Sequence, residues 1–568
     1  MSGVFFVILR RLRLPLIALI TAYAIAVGGL VLMPGVDPEG RPWHLSFFHA
    51  FYVMSYTATT IGFGEIPYRF SDAQRMWMTF SIYLTVVGWA YTLGSIFALA
   101  QDVTFRQALA RSIFARRVRR ITDPFFVLCG YGQSGQRLAG ALDRLGYSTV
   151  LLDPRTDRLS QVWAEEYVQP PIFLAADARS PETLEEAGVR MPNCTGVIAI
   201  TPDDEVNQTI SIGAKVLSPQ VRVLARVKSQ LAVDSLEAFG GVISLNPFET
   251  FAFNFSLALA KPDALRLEEW LTGEPGTEVP ARVEAPRGHW VIAGYGRFGS
   301  AITRALDEAA LTWKVIDIDP VKCGDIGIVA SGLAEDALRD AGIDHAAGLV
   351  AGTDNDASNL AIVTAARRVK PGMFVVIRQN NANNRSLIEA ARARMRFVQA
   401  DLMSHECLQV LTTPMLNRFL MHARTQPNSW AQGVAARLRD TFGEIVPYTW
   451  AITCDPARVG MRHAFEERPE PALRLSHLLT DPDDRQPLPA QPLMLLRRGT
   501  PRILPDAQTP LEPRDRVLFA GPGHIEPLQR RLLEDDSAVD LVRAGRELPR
   551  TPLGRWLAQR SQRRAPAA

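Results

Sequence analysis

Two short glycine arrays in this chain have the residue types and spacing to bind a phosphate. The first is Gly130-Tyr131-Gly132-Gln133-Ser134-Gly135, and the second is Gly294-Tyr295-Gly296-Arg297-Phe298-Gly299. In each, glycines let the backbone approach a pyrophosphate, and the helix that follows directs its N-terminal N–H groups at the negative charge. An acid stands 23 positions after the first glycine of each array, Asp153 in one and Asp317 in the other, where a carboxylate meets a ribose hydroxyl. Such an acid favours NAD, ADP or AMP over a 2′-phosphorylated cofactor, although Arg155 nearby weakens that preference.

These residues need a strand before the turn and a helix after it. Phe125-Phe126-Val127-Leu128-Cys129 and His289-Trp290-Val291-Ile292-Ala293 supply the strands, and Thr149-Val150-Leu151-Leu152 supplies the strand that ends at Asp153. The repetition continues further along. Thr201-Pro202-Asp203-Asp204-Glu205-Val206-Asn207 is echoed by Thr353-Asp354-Asn355-Asp356-Ala357-Ser358-Asn359, and a basic strand residue recurs as Arg226 and Arg378. A pattern repeated at this length indicates two copies of one domain.

The N-terminal part reads differently. Residues 14–33 are uncharged over about 20 positions, enough to cross the roughly 30 Å hydrocarbon layer as a helix, and residues 76–100 form a second such run. Arginines flank both: Arg10, Arg11 and Arg13 before the first, and Arg106, Arg111, Arg116, Arg117, Arg119 and Arg120 after the second. Positive residues stay in the cytoplasm, so both termini are expected there, in the cell's inner (plasma) membrane. The second arginine cluster suits stop-transfer or lipid-headgroup contact better than nucleic acid, and a net charge of +3 gives no global reason to expect a nucleic-acid partner. The stretch from Trp43 is too short and interrupted to span again, so it must enter and return, which irregular backbone tolerates only where protein or water surrounds it.

Within it, Thr57-Ala58-Thr59-Thr60-Ile61-Gly62-Phe63-Gly64-Glu65 resembles the selectivity-filter signature of potassium channels. That resemblance implies a homotetramer in which carbonyls of Thr60, Ile61, Gly62 and Phe63, with the Thr60 hydroxyl, replace the hydration shell of K+, and in which Gly64 completes the filter. It places the pore helix over residues 47–56. Phe63 and Glu65 stand where tyrosine and aspartate are commoner, so one hydrogen bond behind the filter is lost. Gly88 and Gly94 in the inner helix are candidates for a gating hinge or for close helix packing.

The two glycine arrays resemble regulator-of-potassium-conductance (RCK) domains, similar to the TrkA-N domains of potassium-uptake regulators. That implies an acidic nucleotide contact at Asp177 in the first copy, with Ser331-Gly332-Leu333 at the matching place in the second. The second site is therefore less complete. Calcium is a further effector the resemblance allows, with Asp203-Asp204-Glu205 and Glu185-Glu186 as ligand candidates, against the plainer reading of solvated charge.

The expected fold is a membrane α-helical pore domain with two transmembrane helices, a re-entrant pore helix and filter, then two α/β Rossmann-like RCK domains and a small α+β C-terminal lobe. The boundaries are 1–105 for the pore, 106–122 for a linker, 123–285 for the first RCK domain with its crossover helices and 286–430 for the second. Residues 431–535 form the C-terminal lobe and 536–568 a basic tail. The expected function is a K+ channel subunit gated by NAD, ADP or AMP. Two alternatives remain: a cation channel of weak selectivity, and a membrane-anchored NAD-dependent oxidoreductase. The second lacks a recognisable catalytic motif around His289, His345 or His405, and no enzyme activity is expected.

Overall fold

The structure is a computed structural model that describes residues 2–467 and 471–545. The described residues fall into two units: one holds the chain to Thr122 with segments 172–176 and 182–188, and the other holds the rest.

In the first unit, α1 (Ser2–Leu32) and α3 (Asp72–Gln101) flank a short helix, α2 (Phe47–Ala58). The spans long and apolar enough to cross a membrane cover 21 residues of α1 and all 30 of α3. Their outer ends are tied by a capping box at Ser71 and Gln74, whose Ser71 hydroxyl also donates to the Pro34 carbonyl at 2.6 Å. The α1–α3 contact is built around tryptophan: the Trp77 indole N–H donates to the Ala26 carbonyl at 2.9 Å, and a Cβ on Gly29 would lie 1.9 Å from its ring. Gly88 meets α1 at Ala22 and Leu19 in ordinary contact, which is a packing role, whereas Gly94 faces open space. After one extended residue the chain resumes as α4 (Val103–Val118), so most of the segment read as a linker is helical.

The second unit carries the two repeats, except for one strand of the first, Ile172–Ala175, which falls in a segment of the first unit. The first comprises β1 (Phe125–Cys129), α5 (Gln133–Arg144), β2 (Ser148–Asp153), β3 (Ile172–Ala175), β4 (Cys194–Ala199), α6 (Asp204–Leu217), β5 (Arg222–Arg226) and β6 (Val242–Leu245). Two helices then lead away, α7 (Pro247–Ala260) and α8 (Pro262–Thr272), each starting with a proline whose missing N–H is not needed there. The second repeat comprises β7 (Trp290–Ala293), α9 (Arg297–Glu308), β8 (Trp313–Asp317), β9 (Gly327–Val329), β10 (Gly348–Ala351), α10 (Asp356–Val369), β11 (Phe374–Gln379) and β12 (Met395–Val398). Strand orders are β3-β2-β1-β4-β5-β6 and β9-β8-β7-β10-β11-β12, the dinucleotide-binding order in both. Central strands such as β1 are buried along their whole length, as parallel strands covered on both faces must be.

The repeats exchange helices. Phe248, Phe251 and Phe255 of α7 join Trp290, Phe298 and Phe397 of the second repeat in one core. In return α11 (Gln399–Thr412) lies on α5 of the first, where Arg137 pairs with Asp401. Beyond it, α12 (Pro414–Thr425) and α13 (Asn428–Phe442) pack with α8 against a four-stranded antiparallel lobe: β13 (Tyr448–Thr453), β14 (Gln491–Arg497), β15 (Thr500–Ile503) and β16 (Arg516–Gly521). That lobe does not stop at residue 535. The helix α14 (Asp536–Ala544) is capped by Asp535 and buries Ala538, Val539 and Val542 in the lobe's core, so the first part of the expected tail belongs to the lobe. The basic run 559–564 lies outside the described residues.

Where α8 meets α11 and α12, three carboxylates gather, with Arg424 beside Glu268 and Glu406 and Arg266 beside Glu269. Glu268 is paired with Arg424, whose Nε donates to it at 2.9 Å, while burial, with the Glu268 charge adding, pushes Glu269 and Glu406 up to about 7. A carboxyl whose folded value lies above its unfolded one stabilises the fold fully at pH below about 4.5, and that contribution is lost as pH rises through 7. The Glu406→Gln protein is therefore expected to melt higher than the wild type at pH 8, by on the order of 1 kcal/mol after discounting for solvent reaching these groups, and to match the wild type at pH 4.5. Melting curves at the two pH values check this; a shift of equal size at both contradicts it.

Candidate functional site

In the first unit, the loop after α2 carries the residues expected to face an ion. Thr60, Gly62 and Gly64 have φ of +61°, +67° and +74°, while Ile61 and Phe63 between them do not. This alternation of hand turns successive carbonyls to one side of the strand. Glycine takes the left-handed angles freely at two of the positions, and Thr60 adopts one at a cost of about 1 kcal/mol or more. The foot of the loop is held by the Tyr56 carbonyl, which accepts from Ile61 N–H at 2.9 Å and Gly62 N–H at 3.2 Å. Its outer end is held by tyrosines of α2: the Tyr52 hydroxyl donates to Glu65 Oε2 at 2.9 Å and the Tyr56 hydroxyl to the Glu65 carbonyl at 3.1 Å. Tyr56 also meets the Phe63 ring edge-on at 6.0 Å. The hydrogen bond lost with a phenylalanine at position 63 is thus replaced from behind, by two residues that sequence reading left unassigned. Their spacing of four along a helix was the available signal.

In the second unit, both glycine turns have one geometry. Gly130 and Gly294 sit at φ of +104° and +100°, and a Cβ on Gly135 or Gly299 would come within 2.2 or 2.3 Å of the carbonyl oxygen of Gly130 or Gly294. These third glycines allow the helix to approach its strand. The acids act first as braces: Asp153 accepts from Tyr131 N–H at 2.8 Å and Arg155 N–H at 3.0 Å, and Asp317 accepts from Tyr295 N–H at 2.7 Å and Asp319 N–H at 2.9 Å. The Tyr131 side chain is buried, its hydroxyl 2.7 Å from that of Tyr167, and only its backbone serves the turn.

The echoed motifs prove to be braces too. Asn207, fully buried, accepts from Thr201 N–H and donates to the Arg226 carbonyl at 2.9 Å; Asn359 does the same with Thr353 and the Arg378 carbonyl at 2.8 Å. Asp203 caps α6, and Asp204 accepts from the N–H groups of Lys228 and Ser229. Glu186 pairs with Arg111. Three of the five acids considered for calcium, Asp203, Asp204 and Glu186, are engaged in this way, and among the described residues no group of three or more His, Cys, Asp or Glu side chains converges as a metal site.

Around the first turn the structure opens a cavity of about 580 Å³. Gly130, Gly132, Gln133, Ser134, Asp153 and Asp177 all line it, so six of the expected residues of this copy meet in one place. Asp177 is chelated by Arg179, which holds its carboxyl below the usual carboxylate range. Deeper in stands Arg226, 8% exposed, its Nε without a hydrogen-bond partner, and burial pushes its guanidinium down to about 10, with Asp204 opposing and Arg297 adding to the fall. A buried cation with nothing to donate to is costly unless an anion joins it. The far wall comes from the second repeat, at Gln379, Asn380 and the start of α11 at Gln399 and Ala400. Gln379 is 3% exposed, with its side-chain oxygen unpartnered.

The second turn is furnished otherwise. Arg297 and Arg378 both lie near the Phe248 ring, their guanidinium carbons 6.0 and 5.7 Å from its centre, and Phe248 is itself 4% exposed among Phe397, Phe251 and Phe298. An exchanged aromatic side chain thus engages the two arginines whose counterparts in the first copy are Gln133 and the unpartnered Arg226.

The histidines weighed for catalysis serve structure. His289 bonds the Ala341 carbonyl at 2.8 Å and stacks on His345, and His405 reaches the Thr272 carbonyl.

Comparison with known proteins places these modules. The family model described as "Ion channel" matches residues 16–104, and that of the TrkA-N domain matches twice, at 126–245 and 290–398. The chain thus joins an ion-channel module to two TrkA-N domains. Among its relatives, Potassium channel protein 1 of Methanocaldococcus jannaschii is 25% identical over 218 residues, covering 38% of this chain and 63% of that protein. Probable potassium channel protein 2 of the same organism is 22% identical, over 41% of this chain and again 63% of the relative, so the chain spans somewhat under two thirds of the channel relatives it matches. The Trk system potassium uptake protein TrkA of Streptomyces coelicolor is 36% identical over 88 residues, 14% of this chain and 40% of that one. Among solved structures, the GsuK channel bound to NAD is 17% identical with a TM-score of 0.44, covering 94% of this chain and all of that one.

Proposed function

We propose that four copies of this chain assemble around the 57–65 loop into a K+-selective pore of the inner membrane, with both termini cytoplasmic, gated by an adenine nucleotide bound at the first RCK repeat. The observation that carries the pore reading is the alternating hand at Thr60, Gly62 and Gly64 at the foot of a short helix held between two apolar spans. In that assembly carbonyls of Thr60, Ile61, Gly62 and Phe63 would surround a dehydrated K+ ion. The nucleotide reading is supported by the cavity at Gly130, where the start of α5, Ser134 and Arg226 suit phosphate and Asp153 suits a ribose. The second turn, where Arg297 and Arg378 engage Phe248, is assigned to holding the repeats together, and Asp317 to bracing that turn.

Gating follows from linkage. Because one wall of the cavity is the second repeat, a ligand there binds one arrangement of the two repeats more tightly than others. A preference of about 1 to 3 kcal/mol shifts an equilibrium roughly 5- to 150-fold. The covalent path from α3 to the repeats runs through α4. Inserting a short run of flexible glycines after Gln101 is expected to leave nucleotide affinity unchanged, measured by calorimetry, while abolishing the nucleotide's effect on rubidium flux. Undiminished nucleotide control in that variant contradicts the proposal.

A further inference from the structure

The arginine cluster after the second span has no part in the pore or the nucleotide cavity. Between Asp102 and Asp123 the chain has six arginines and no acid. The structure sorts them on α4. One face of α4 is buried through Phe114 and Val118, and on that side Arg111 lies 3.6 Å from Glu186. The opposite face exposes Leu109 and Ile113, interleaved with Arg106, Arg116 and Arg117, and Arg120 follows on the same exposed side. Among the described residues, none of Arg106, Arg116, Arg117 and Arg120 has a carboxylate at ion-pair distance.

The helix begins where the α3 span ends. The α3 span runs to Gln101, Asp102 takes an extended conformation and caps the new helix through Phe105 N–H at 3.0 Å, and Val103 already belongs to α4. The break at Asp102 frees α4 from continuing the line of α3, and α1, which also starts with arginines, touches it. A helix face of apolar side chains set among cations, on a helix that begins one residue from a span, suits the boundary between headgroups and acyl chains. There its arginine stems lie along apolar surface and its charges meet phosphate. A soluble anion would satisfy the arginines but leave Leu109 and Ile113 in water. A neighbouring protein surface would need a matching acidic stripe, for which this near-neutral chain offers no run of comparable length.

We infer that the exposed face of α4 is a docking surface for anionic phospholipids of the leaflet from which α3 emerges, so that the charge of the membrane acts on the segment joining the pore to the nucleotide-binding repeats. The inference rests on α3 crossing the bilayer and not on ion conduction.

Hydrogen exchange of the full-length protein in nanodiscs tests it. Amides 103–118 are expected to exchange several-fold more slowly in phosphatidylcholine mixed with phosphatidylglycerol than in phosphatidylcholine alone, with the difference shrinking at high salt. An R106Q/R116Q/R117Q/R120Q variant is expected to lose the lipid difference, and L109S/I113S to weaken it. Glycerophosphoglycerol added to the phosphatidylcholine discs should leave exchange unchanged. Equal exchange in both lipids overturns the inference, as does full protection by the soluble headgroup, which would make the face a free-anion site. Because exchange is read independently of flux, a protein that conducts nothing still shows whether the lipid binds.

Discussion

Gly62→Ala is expected to abolish rubidium flux while leaving the assembly intact. At φ of +67° an alanine Cβ meets the following carbonyl, a cost of roughly 1 to 2 kcal/mol per chain. Around a fourfold axis that cost is incurred four times, about 4 to 8 kcal/mol against the conducting geometry, which corresponds to a loss of roughly 1000-fold or more. The rest of the chain has no reason to change, because a Cβ at this position meets no other atom within 4 Å of its own subunit. Flux in proteoliposomes, with nucleotide affinity and oligomeric mass as controls, gives the answer. Ordinary flux through the alanine variant would mean that the 57–65 loop is not the conducting strand.

The second large effect is expected at Arg226. Replacing it with glutamine removes the cavity's buried, unpartnered cation, so nucleotide affinity should fall by about 30- to 1000-fold, the equivalent of losing charge-assisted bonds of roughly 2 to 4 kcal/mol. The same exchange at Arg378 is expected to leave affinity unchanged, since that guanidinium is engaged with Phe248. Without nucleotide, R226Q should melt no lower than the wild type, because burial already works against the guanidinium charge. Calorimetric titration of ADP and NAD into the two variants separates them. Equal losses at both positions would return the second turn to consideration as a binding site.

The contrast between Arg226 and Arg378 also shows what a sequence conveys and what it leaves out. The two repeats, their glycine turns and bracing acids were legible because each depends on neighbours within one strand, turn and helix. The turns of the 57–65 loop were legible for the same reason: left-handed angles at Gly62 and Gly64 are a local demand. Phe248 was not, because it leaves its own repeat on α7 and is buried in the other, and nothing in the periodicity of α7 names its destination. The brace at Glu65 was missed because it depends on two tyrosines packed behind the loop, as was α14, whose apolar face is short and set among charges. The Thr201 and Thr353 motifs were correctly seen as a repeat, but their asparagines tie two strand ends together and their acids serve as caps and backbone acceptors, a role that spacing alone does not separate from cation binding.

The most direct test of the whole account is isotope uptake into vesicles holding the purified full-length protein, with rubidium and sodium compared in the presence and absence of ADP or NAD. The account predicts rubidium uptake well above sodium uptake, changed in magnitude by nucleotide. Uptake that fails to distinguish the two ions, or vesicles that stay closed to both under every nucleotide condition, would contradict it.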